Sequence, residues 1–434
     1  MTVAAVSLFG RPIGAVSVDD SSSLAAFEYE PDFLAAGVEP APLQMPVRSG
    51  VYSFGALNHD TFRGLPGMLA DSLPDMFGNA LIDTWLARQG RSPDSFDVVE
   101  RLCYVGSRGM GALEFEPAAG PSSTPERNLD VAELVALASE VLTSRERLST
   151  SLGPEVSDTA IADILAVGTS AGGQRAKAVI AFNDLTGEVR SGQLPAAEGF
   201  DHWLLKFDGV QSGAQEVGNA EGYGAVEYAY SLMAAAAGVD MTPCRLLEEG
   251  GRRHFMTRRF DRPDDGSKLH MQSLAALGHY DFRLDGAYSY EQALLIARQL
   301  GLSPRALEQL FRRMVFNIVV RNQDDHVKNI AFLMNRHGAW ALAPAFDVTY
   351  SYNPTGRWTA RHQMTVNGKR DGFTLADLRA CAEVGQLRSG LPAEILREAV
   401  DAAAGWNGYA DQAGVDDSTT AAIGAAFCLT LPAG

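Results

Sequence analysis

The order of apolar and polar positions predicts a β-rich unit at the start of the chain. Residues 1–60 contain the short runs VAAVSLFG, GAVSVDD, LAAFEYE and GVYSFGALN, which are separated by glycine, proline and aspartate. This pattern predicts a small antiparallel sheet or barrel. An amphipathic helix from about Phe77 to Arg88, a helix from Phe96 to Tyr104 and the strand-like GALEFEP close the unit. The stretch PSSTPERN, from Pro121 to Asn128, is the best linker in the chain.

The next stretch alternates strands and helices around a loop that is rich in glycine. A predicted helix over residues 129–150 is followed by VGTSAGGQRAKAVIAF, which reads as a Gly/Ser loop and a strand. The run HWLLKFD predicts another strand, with Lys206 on the side opposite its apolar neighbours Leu205 and Phe207. A helix from about Tyr223 to Ala237 then leads to the strands CRLLEE and HFMTRRF, which a Gly-Gly turn joins.

From Leu269 onward the pattern is mostly helical. The main predicted helices are Tyr290 to Leu300, Pro304 to Val320, Leu375 to Ala382, Pro392 to Ala404 and Asp416 to Leu429. One segment interrupts them, because NQDDHVKNIAFLM and the residues after it predict a hairpin. Its strands are Ile330 to Met334 and Ala339 to Ala343, with a turn between them.

Composition indicates a cytoplasmic globular protein. The chain has 434 residues, 46% hydrophobic and 21% charged, which suffices for a large core and two or three domains. No stretch reaches the roughly 20 apolar residues of a membrane span, and MTVAAVSLFGRPIG lacks a cleavable signal pattern. The four cysteines have no metal-ligand spacing and are predicted to be buried thiols in a reducing cytoplasm: Cys103, Cys244, Cys381 and Cys428.

The net charge of the chain bears on its partners. It is −17, which argues against wide contact with nucleic acid, because neutralising phosphates needs a basic face. A local basic groove or a DNA-binding partner remains compatible with it.

The segment from Asn322 to Asp347 predicts a phosphoryl-transfer site. Asp324 follows an apolar helical run, Asn329 comes five residues later, and Asp347 follows the hairpin. In such a site one carboxylate orients the attacking hydroxyl and accepts its proton, whereas the amide oxygen and the second carboxylate hold Mg²⁺ on the ATP phosphates. Mg²⁺ prefers a few hard oxygen ligands, with phosphates completing its shell. Any single aspartate here could instead cap a helix or form a turn, so the prediction depends on the ordered set.

Other parts of a nucleotide site precede this segment. Glycines in the Gly/Ser loop would let backbone N–H groups approach phosphates, although the loop matches neither GxGxxG nor GxxxxGK[ST] and could be a hairpin without function. Its candidate residues are Thr169, Ser170, Ala171, Gly172, Gly173, Gln174 and Lys177. Lys206 could pair with ATP phosphates and Glu227 could hold it, the alternatives being a solvated strand lysine and a surface glutamate. His326 could order its loop by hydrogen bonding, since no second His or Cys lies at metal-ligand spacing.

The order of these parts follows that of protein kinases, but H-R-D and D-F-G are absent. With these residues the chain resembles the HipA family of bacterial toxin serine/threonine kinases over nearly its whole length. FRGLPGMLADSLPDMFGNAL is similar to the N-terminal signature of the family and GTSAGGQRAKA to its phosphate-binding loop. RRFDR resembles its post-hinge strand, and NQDDHVKNIAFL with APAFDVTYSY its catalytic and metal segments.

The resemblance implies an α+β, two-lobed protein-kinase-like fold. An N-terminal β-rich subdomain (1–120) would pack on a nucleotide-binding lobe with the Gly-rich loop (129–255), and a mostly helical C-terminal lobe (256–434) would carry the catalytic and metal segments.

The resemblance also implies roles for single residues. Asp324 would be the catalytic base, and Asn329 and Asp347 the Mg²⁺ ligands. Lys206 would contact the ATP phosphates, under the loop from Thr169 to Gln174. Lys328, close to Asp324 in sequence, would neutralise the transferring phosphoryl group.

Members of the family are inhibited by autophosphorylation of a loop serine. The matching position here is Thr169, with Ser170 beside it, so the acceptor stays open between the two. A phosphate on either residue would add about −1.5 to −2 charge beside the nucleotide phosphates.

The implied partners are a small helix-turn-helix antitoxin (HipB-like), which would supply the basic DNA-binding surface, and a protein substrate such as an aminoacyl-tRNA synthetase. Two alternatives remain open. The same fold could phosphorylate a small molecule or lipid, or the chain could be a pseudokinase-like binding module that acts as a co-repressor with its antitoxin. The presence of the whole set of site residues argues against the second alternative.

Overall fold

The computed structural model has an α+β architecture. It describes residues 1–19, 23–120, 128–144, 163–165, 167–168, 175–193, 197–210 and 221–434. Within these ranges the strands form three separate sheets, and the buried apolar side chains gather in three large cores.

The chain begins with an antiparallel sheet, as the alternating runs predict. Its strands are β1 (Thr2–Leu8), β2 (Arg11–Val18), β3 (Ala25–Tyr29), β4 (Val51–Tyr52) and β5 (Leu113–Glu116), in the order β4-β3-β2-β1-β5. The last strand returns from GALEFEP to pair with β1, with Val6 opposite Phe115. Both side chains are buried, so the pairing is stabilised by the same apolar face that the alternation creates.

Short helices complete this N-terminal unit, which we define as β1–β5 with α1–α4. They are α1 (His59–Phe62), α2 (Gly67–Ala70), α3 (Met76–Arg88) and α4 (Val98–Val105). Asp97 and Glu100 form a capping box that fixes the start of α4, in which Leu102 is fully buried.

A second antiparallel sheet lies at the centre of the chain. Its strands are β6 (Lys177–Phe182), β7 (Val189–Ser191), β8 (Asp201–Lys206), β9 (Cys244–Glu249) and β10 (Arg252–Arg258), in the order β7-β6-β8-β10-β9. The helix α5 (Val131–Ser144) shares its core, whereas α6 (Tyr223–Ala236) packs against β9 and β10 and joins the core of the C-terminal part. The Gly-Gly turn between β9 and β10 is confirmed, since Gly250 and Gly251 both have positive φ.

The C-terminal part combines a small sheet with helices. The strands β11 (His270–Ser273), β12 (Ala331–Met334) and β13 (Trp340–Leu342) pair in that order. The helices are α7 (Leu274–Gly278), α8 (Tyr290–Gln299), α9 (Pro304–Val319), α10 (Leu375–Val384), α11 (Leu391–Ala404), α12 (Trp406–Ala413) and α13 (Asp417–Ala426). The fully buried Phe311 and Met314 on α9 place this helix in the middle of the core.

The expectation of a mostly helical part from Leu269 onward is confirmed, since the five predicted helices correspond to α8, α9, α10, α11 and α13. Two stretches of this part are not helical. Residues 270–273 form β11, because their backbone pairs with β12 some sixty residues later. Residues 343–374 contain no helix and carry the loops that surround the site. In addition, α12 was not predicted, since its pattern is interrupted by Gly408.

The N-terminal unit is joined to the rest of the molecule by a buried ionic cluster. The fully buried Asp261 accepts hydrogen bonds from Arg259, from Arg262 (2.7 Å) and from the backbone N–H of Gly111 (2.7 Å). Both arginines also donate to the carbonyl oxygen of Gly109. Burial disfavours the ionised carboxyl, but the two guanidinium groups outweigh burial and hold the pKa of Asp261 well below its usual range. We call these five residues the interdomain cluster.

Two predictions from composition can be compared with the structure. In the described part of the chain, no helix combines the length and apolarity that crossing a bilayer requires. The four cysteines are free thiols, and Cys103 and Cys381 are buried as predicted. For Cys244 and Cys428 the prediction is wrong, because both are partly exposed.

Candidate active site

Lys206, the last residue of β8, connects the central sheet with two other elements. Its ammonium nitrogen lies 2.5 Å from Oε1 of Glu227 on α6 and 2.5 Å from Oδ1 of Asp347 in the segment that follows β13. Lys206 is buried, as are its neighbours Leu205 and Phe207. The interpretation of Lys206 as a solvated strand lysine is therefore wrong. Three predicted site residues that are far apart in sequence are therefore in direct contact.

The charges of Lys206 and Asp347 stabilise each other. Burial opposes the charge on Lys206, but Asp347 and Glu227 outweigh it and raise the pKa of the ammonium above its usual value. Burial also opposes ionisation of Asp347, yet Lys206, followed by Lys177, holds the pKa of this carboxyl well below its ordinary value. Lys206 and Asp347 are thus both charged at neutral pH.

The depth of Glu227 is set by the way α6 begins. Gly222 and Gly224 donate their backbone N–H groups to the carboxylate of Asp208, which lies two residues after Lys206 and caps the helix from outside it. A Cβ on Gly224 would lie 2.1 Å from the carbonyl oxygen of Arg253, so glycine is needed for this close approach to β10. Glu227 is buried one turn further along α6.

The segment that carries Asp347 pairs through its backbone with the residues that precede Asp324. Asn322 and Ser351 form a parallel bridge, and the N–H of Gln323 donates to the carbonyl of Ser351. Asp347 itself has φ of 55°, in the left-handed region, which side chains other than glycine adopt at a cost. This conformation directs a carboxylate that is one-third exposed toward Lys206.

The predicted base and the predicted amide ligand also meet. The side-chain nitrogen of Asn329 donates to the backbone carbonyl of Asp324 (2.9 Å), and its backbone N–H donates to the carbonyl of His326 (2.8 Å). With its nitrogen engaged, Asn329 has its side-chain oxygen available for a cation. The side chain of Asp324 is 44% exposed, so a substrate hydroxyl can reach it.

Asp325, the neighbour of Asp324, has a different environment. It is buried and accepts hydrogen bonds from the hydroxyl of Tyr290 (2.8 Å) and the backbone N–H of Gln363 (2.8 Å), and its carboxylate lies 2.9 Å from Nδ1 of His362. Burial opposes its ionisation, but His362 and these donors lower its pKa. Asp325 anchors the loop that presents Asp324. This role could not be predicted, because two adjacent aspartates carry no local signal of which one is buried.

Asn329 and Asp347 line one cavity, together with His326. Their oxygens are the hard ligands that suit Mg²⁺, for which the nucleotide phosphates would complete the shell. Burial, opposed by the charge of Lys206, raises the pKa of the Glu227 carboxyl, whereas the carboxylate of Asp347 is ionised and one-third exposed. The donor set therefore fits Mg²⁺ with a polyphosphate. Over the described residues, no group of three or more His, Cys, Asp or Glu side chains is arranged to hold a metal ion without such help.

The remaining predicted residues lie at the edge of this site. Lys177 is buried on β6, 3.3 Å from Oδ2 of Asp75 in the N-terminal unit. Lys328 lies over the ring of Phe282 and 4.0 Å from Oδ1 of Asp71, also in that unit. Neither aspartate was recognised from sequence, because the contact depends on how two separate units dock.

His326 does not show the hydrogen bonding that sequence analysis expected. Its Nδ1 is buried without a hydrogen-bond partner among the described residues, and its Nε2 lies 3.9 Å from Oδ1 of Asp324. The backbone of this residue, rather than its ring, accepts the bond that orders the loop.

The predicted phosphate-binding loop is outside the described residues, and this applies to Thr169, Ser170, Ala171, Gly172, Gly173 and Gln174. The described residue that follows them, Arg175, lies with its guanidinium carbon 3.4 Å from the centroid of the Tyr223 ring at the start of α6. This stacking places Arg175 at the start of α6, the helix that carries Glu227.

Two curated proteins are similar to this chain in sequence. "Putative kinase Y4dM" of Sinorhizobium fredii is 26% identical over 225 residues, which are 48% of this chain and 52% of that protein. "Putative kinase Y4mE" of the same organism is 27% identical over 125 residues, 27% of this chain and 30% of that protein. The chain thus spans about half the length, or less, of these curated relatives.

A solved structure matches almost the whole chain. It is the complex of HipA, HipB and operator DNA from the toxin–antitoxin system of Shewanella oneidensis MR-1, with a TM-score of 0.64 at 16% identity. The match covers 97% of this chain and 94% of that chain. It confirms the predicted α+β, two-lobed kinase-like fold.

Two family models assign the chain. The model of the HipA N-terminal domain matches residues 4–116, and that of the HipA-like C-terminal domain matches residues 169–406, more than half of the chain. The chain belongs to the HipA family.

Proposed function

We propose that the protein is an ATP- and Mg²⁺-dependent protein serine/threonine kinase that acts as the toxin of a toxin–antitoxin pair. The observation that carries this proposal is the contact of Lys206 with both Glu227 and Asp347. A strand lysine held by a helix glutamate, beside a metal-binding aspartate, is the arrangement that binds ATP phosphates in kinases. The "kinase" names of the two Sinorhizobium relatives support it.

Asn329 and Asp347 would hold Mg²⁺, which neutralises charge on the phosphates when it is bound. Lys206 would bind phosphate oxygens of the nucleotide, and Lys328 would approach the transferring group. Lys177 and Glu227 would complete the wall of the site. The loop from Thr169 to Gln174 would cover the nucleotide with its backbone N–H groups.

Asp324 would act on the acceptor. Its exposed carboxylate orients a serine or threonine hydroxyl and takes its proton, while the hydroxyl oxygen forms a bond to the γ-phosphorus. The bond from that phosphorus to the β–γ bridging oxygen breaks, and ADP leaves with the electron pair. Asp325 keeps Asp324 in place without contacting the substrate.

Regulation would come from the same loop. Autophosphorylation of Thr169 or Ser170 would add about −1.5 to −2 charge close to the nucleotide phosphates and oppose ATP binding. Either residue satisfies the chemistry, because both carry a hydroxyl in the loop.

The proposed partners follow from charge and from the Shewanella complex. A small helix-turn-helix antitoxin, similar to the HipB of that complex, would bring this acidic chain to operator DNA indirectly. The proposed substrate is a translation component such as an aminoacyl-tRNA synthetase, in the cytoplasm. We expect domain boundaries at 1–120, 129–255 and 256–434, which the separate cores support, although α6 packs into the C-terminal core.

The test is transfer of labelled γ-phosphate from Mg·ATP, with the protein alone and with a cell lysate, beside the Asp324→Asn variant. We expect the wild type to label a protein and the Asp324→Asn variant to label none. Mass spectrometry of the labelled protein then identifies the acceptor. Thr169→Ala and Ser170→Ala would separately locate the loop phosphate. Binding of Mg·ATP without labelling of any protein would favour a small-molecule or lipid kinase, or a co-repressor. Absence of nucleotide binding would overturn the proposal.

A further inference from the structure

The N-terminal unit places a carboxylate at the edge of the proposed nucleotide site. Oδ2 of Asp75 lies 3.3 Å from the ammonium nitrogen of Lys177, and the two side chains are only 4% and 3% exposed. The pair joins the N-terminal unit to the first strand of the central sheet. Breaking an ion pair that is buried this deeply leaves an uncompensated charge in the interior, which strongly destabilises the folded protein.

Asp75 is held rigidly in this position. It is the N-cap of α3, and its other oxygen, Oδ1, accepts the backbone N–H of Gly78 at 2.8 Å. One carboxylate therefore fixes the start of α3 and contacts Lys177 at the same time. Asparagine or serine could keep the cap without supplying the charge.

Lys177 belongs to the electrostatics of Lys206 and Asp347. It is the cross-strand partner of Lys206 at the ends of β6 and β8, and its charge contributes to the lowered pKa of Asp347. Phosphates that bind to Lys206 would thus lie within reach of Lys177. Asp75 neutralises that lysine when no phosphate is present.

We propose that Asp75 determines nucleotide affinity, because it and the nucleotide phosphates are alternative partners of Lys177. This inference rests on the proposed function, since it requires that a nucleoside triphosphate binds beside Lys206. Binding of the nucleotide then exchanges the Lys177–Asp75 contact for a Lys177–phosphate contact. Occupancy of the site is thereby coupled to the docking of the N-terminal unit.

Thermodynamics gives the sign of the effect. In the nucleotide-free protein, removal of the charge on Asp75 leaves the buried ammonium group of Lys177 poorly compensated. In the bound protein, it removes a carboxylate that repels the nucleotide phosphates. Both changes favour the bound state. A residue with only a structural role would destabilise both states alike.

The experiment measures the Kd of full-length protein for adenylyl-imidodiphosphate with Mg²⁺, together with the Tm in its absence and presence. Asp75→Asn is expected to lower the Tm of the free protein, to increase the Tm shift on binding, and to tighten Kd at least about fivefold. Asp75→Ser also retains a helix cap and should have the same effects on Tm and Kd as Asp75→Asn. In a Lys177→Met background Asp75→Asn should leave Kd unchanged.

The matched control is Thr61→Val. It removes a hydrogen bond between the N-terminal unit and Asp281 and leaves the Asp75–Lys177 pair unchanged, so it should lower Tm without tightening Kd. An unchanged or weaker Kd in Asp75→Asn, or tightening that persists without Lys177, would overturn the inference while the wild type still binds. Failure of the wild type to bind the nucleotide would overturn the proposed function as well.

Discussion

Lys177 and Lys206 lie directly opposite each other on neighbouring antiparallel strands. Like charges in this position destabilise a sheet, and these two are both buried. The compensating carboxylates come from outside the sheet, with Asp75 of the N-terminal unit beside Lys177 and with Glu227 and Asp347 beside Lys206. The end of the central sheet is consequently stable only when the elements that flank it are assembled around it.

Replacing Lys206 should separate its structural and chemical roles. Lys206→Met leaves the buried Glu227 without its cation, and breaking a buried pair costs about 3–5 kcal/mol. Phosphotransfer should be lost in the same variant. Urea unfolding and labelled-phosphate transfer measure the two effects.

The control for this prediction is the double variant Lys206→Met with Glu227→Gln. It removes the uncompensated carboxylate and should recover most of the stability but none of the activity. Recovery of activity in the double variant would contradict the role of Lys206 at the phosphates.

The adjacent aspartates Asp324 and Asp325 should respond differently to the same change. Asp324→Asn alters an exposed carboxylate, so stability should change by no more than about 0.5 kcal/mol. Activity should fall about 10²- to 10⁴-fold, the usual contribution of a general base. Asp325→Asn weakens a buried network with His362 and should lower the Tm markedly. Thermal denaturation and kinetics of both variants test this assignment. A marked loss of stability in Asp324→Asn, with the loss of activity confined to Asp325→Asn, would contradict it.

Mild acid should loosen the contact of the N-terminal unit with the C-terminal part. Burial lowers the pKa of His279 and of His270 to about 4, whereas an unfolded histidine titrates near about 6.5. The stability that these neutral rings contribute is therefore present above pH 6.5 and is lost as pH falls toward 4. Protonation of His279 also abolishes its acceptance of the Gly67 N–H bond.

The measurement is Tm as a function of pH between 7.5 and 4.5. The wild type should lose stability across this range, and His279→Gln, whose amide oxygen can accept the same bond, should lose less. Equal slopes for the two proteins would show that His279 does not contribute.

Gly67 should tolerate no side chain. A Cβ there would lie 2.3 Å from the carbonyl oxygen of Ala276 on α7, which is backbone and cannot move aside cheaply. Gly67→Ala is expected to cost about 1–3 kcal/mol in the free energy of unfolding. Gly408→Ala in α12 is the matched control, since nothing lies near its added methyl group, and it should stabilise by about 0.5–1 kcal/mol.

Much of the fold and the pairing of Lys206 with Glu227 could be predicted from the sequence, whereas the direct contact of Lys206 with Asp347 was not predicted. Alternating apolar runs identify strands, and the order of a strand lysine, a helix glutamate and a later aspartate follows from a shared phosphoryl-transfer chemistry. The pairing of β11 with β12 could not be predicted, because it joins segments that carry no mutual local signal.

The roles of Asp75 and Asp325 were missed for a related reason. Both act through burial, and burial of a carboxylate is decided by whichever lysine or histidine tertiary packing brings to it. The sequence shows that these residues are charged, but it does not show which residue each of them contacts. The contacts of Lys177 and Lys328 with the N-terminal unit belong to the same class.

The interdomain cluster recognises the N-terminal unit largely through main-chain atoms. Arg259 and Arg262 bind the carbonyl oxygens of Gly109 and Gly111, and Asp261 binds an N–H, so no side chain of the N-terminal unit takes part. The amino-acid sequence of this stretch can consequently vary only as far as the backbone path is preserved. That path includes Gly111 with φ of 81°. Within this cluster the N-terminal unit is therefore recognised by the shape of its backbone, whereas the specificity of docking comes from side-chain pairs elsewhere, such as Asp75 with Lys177.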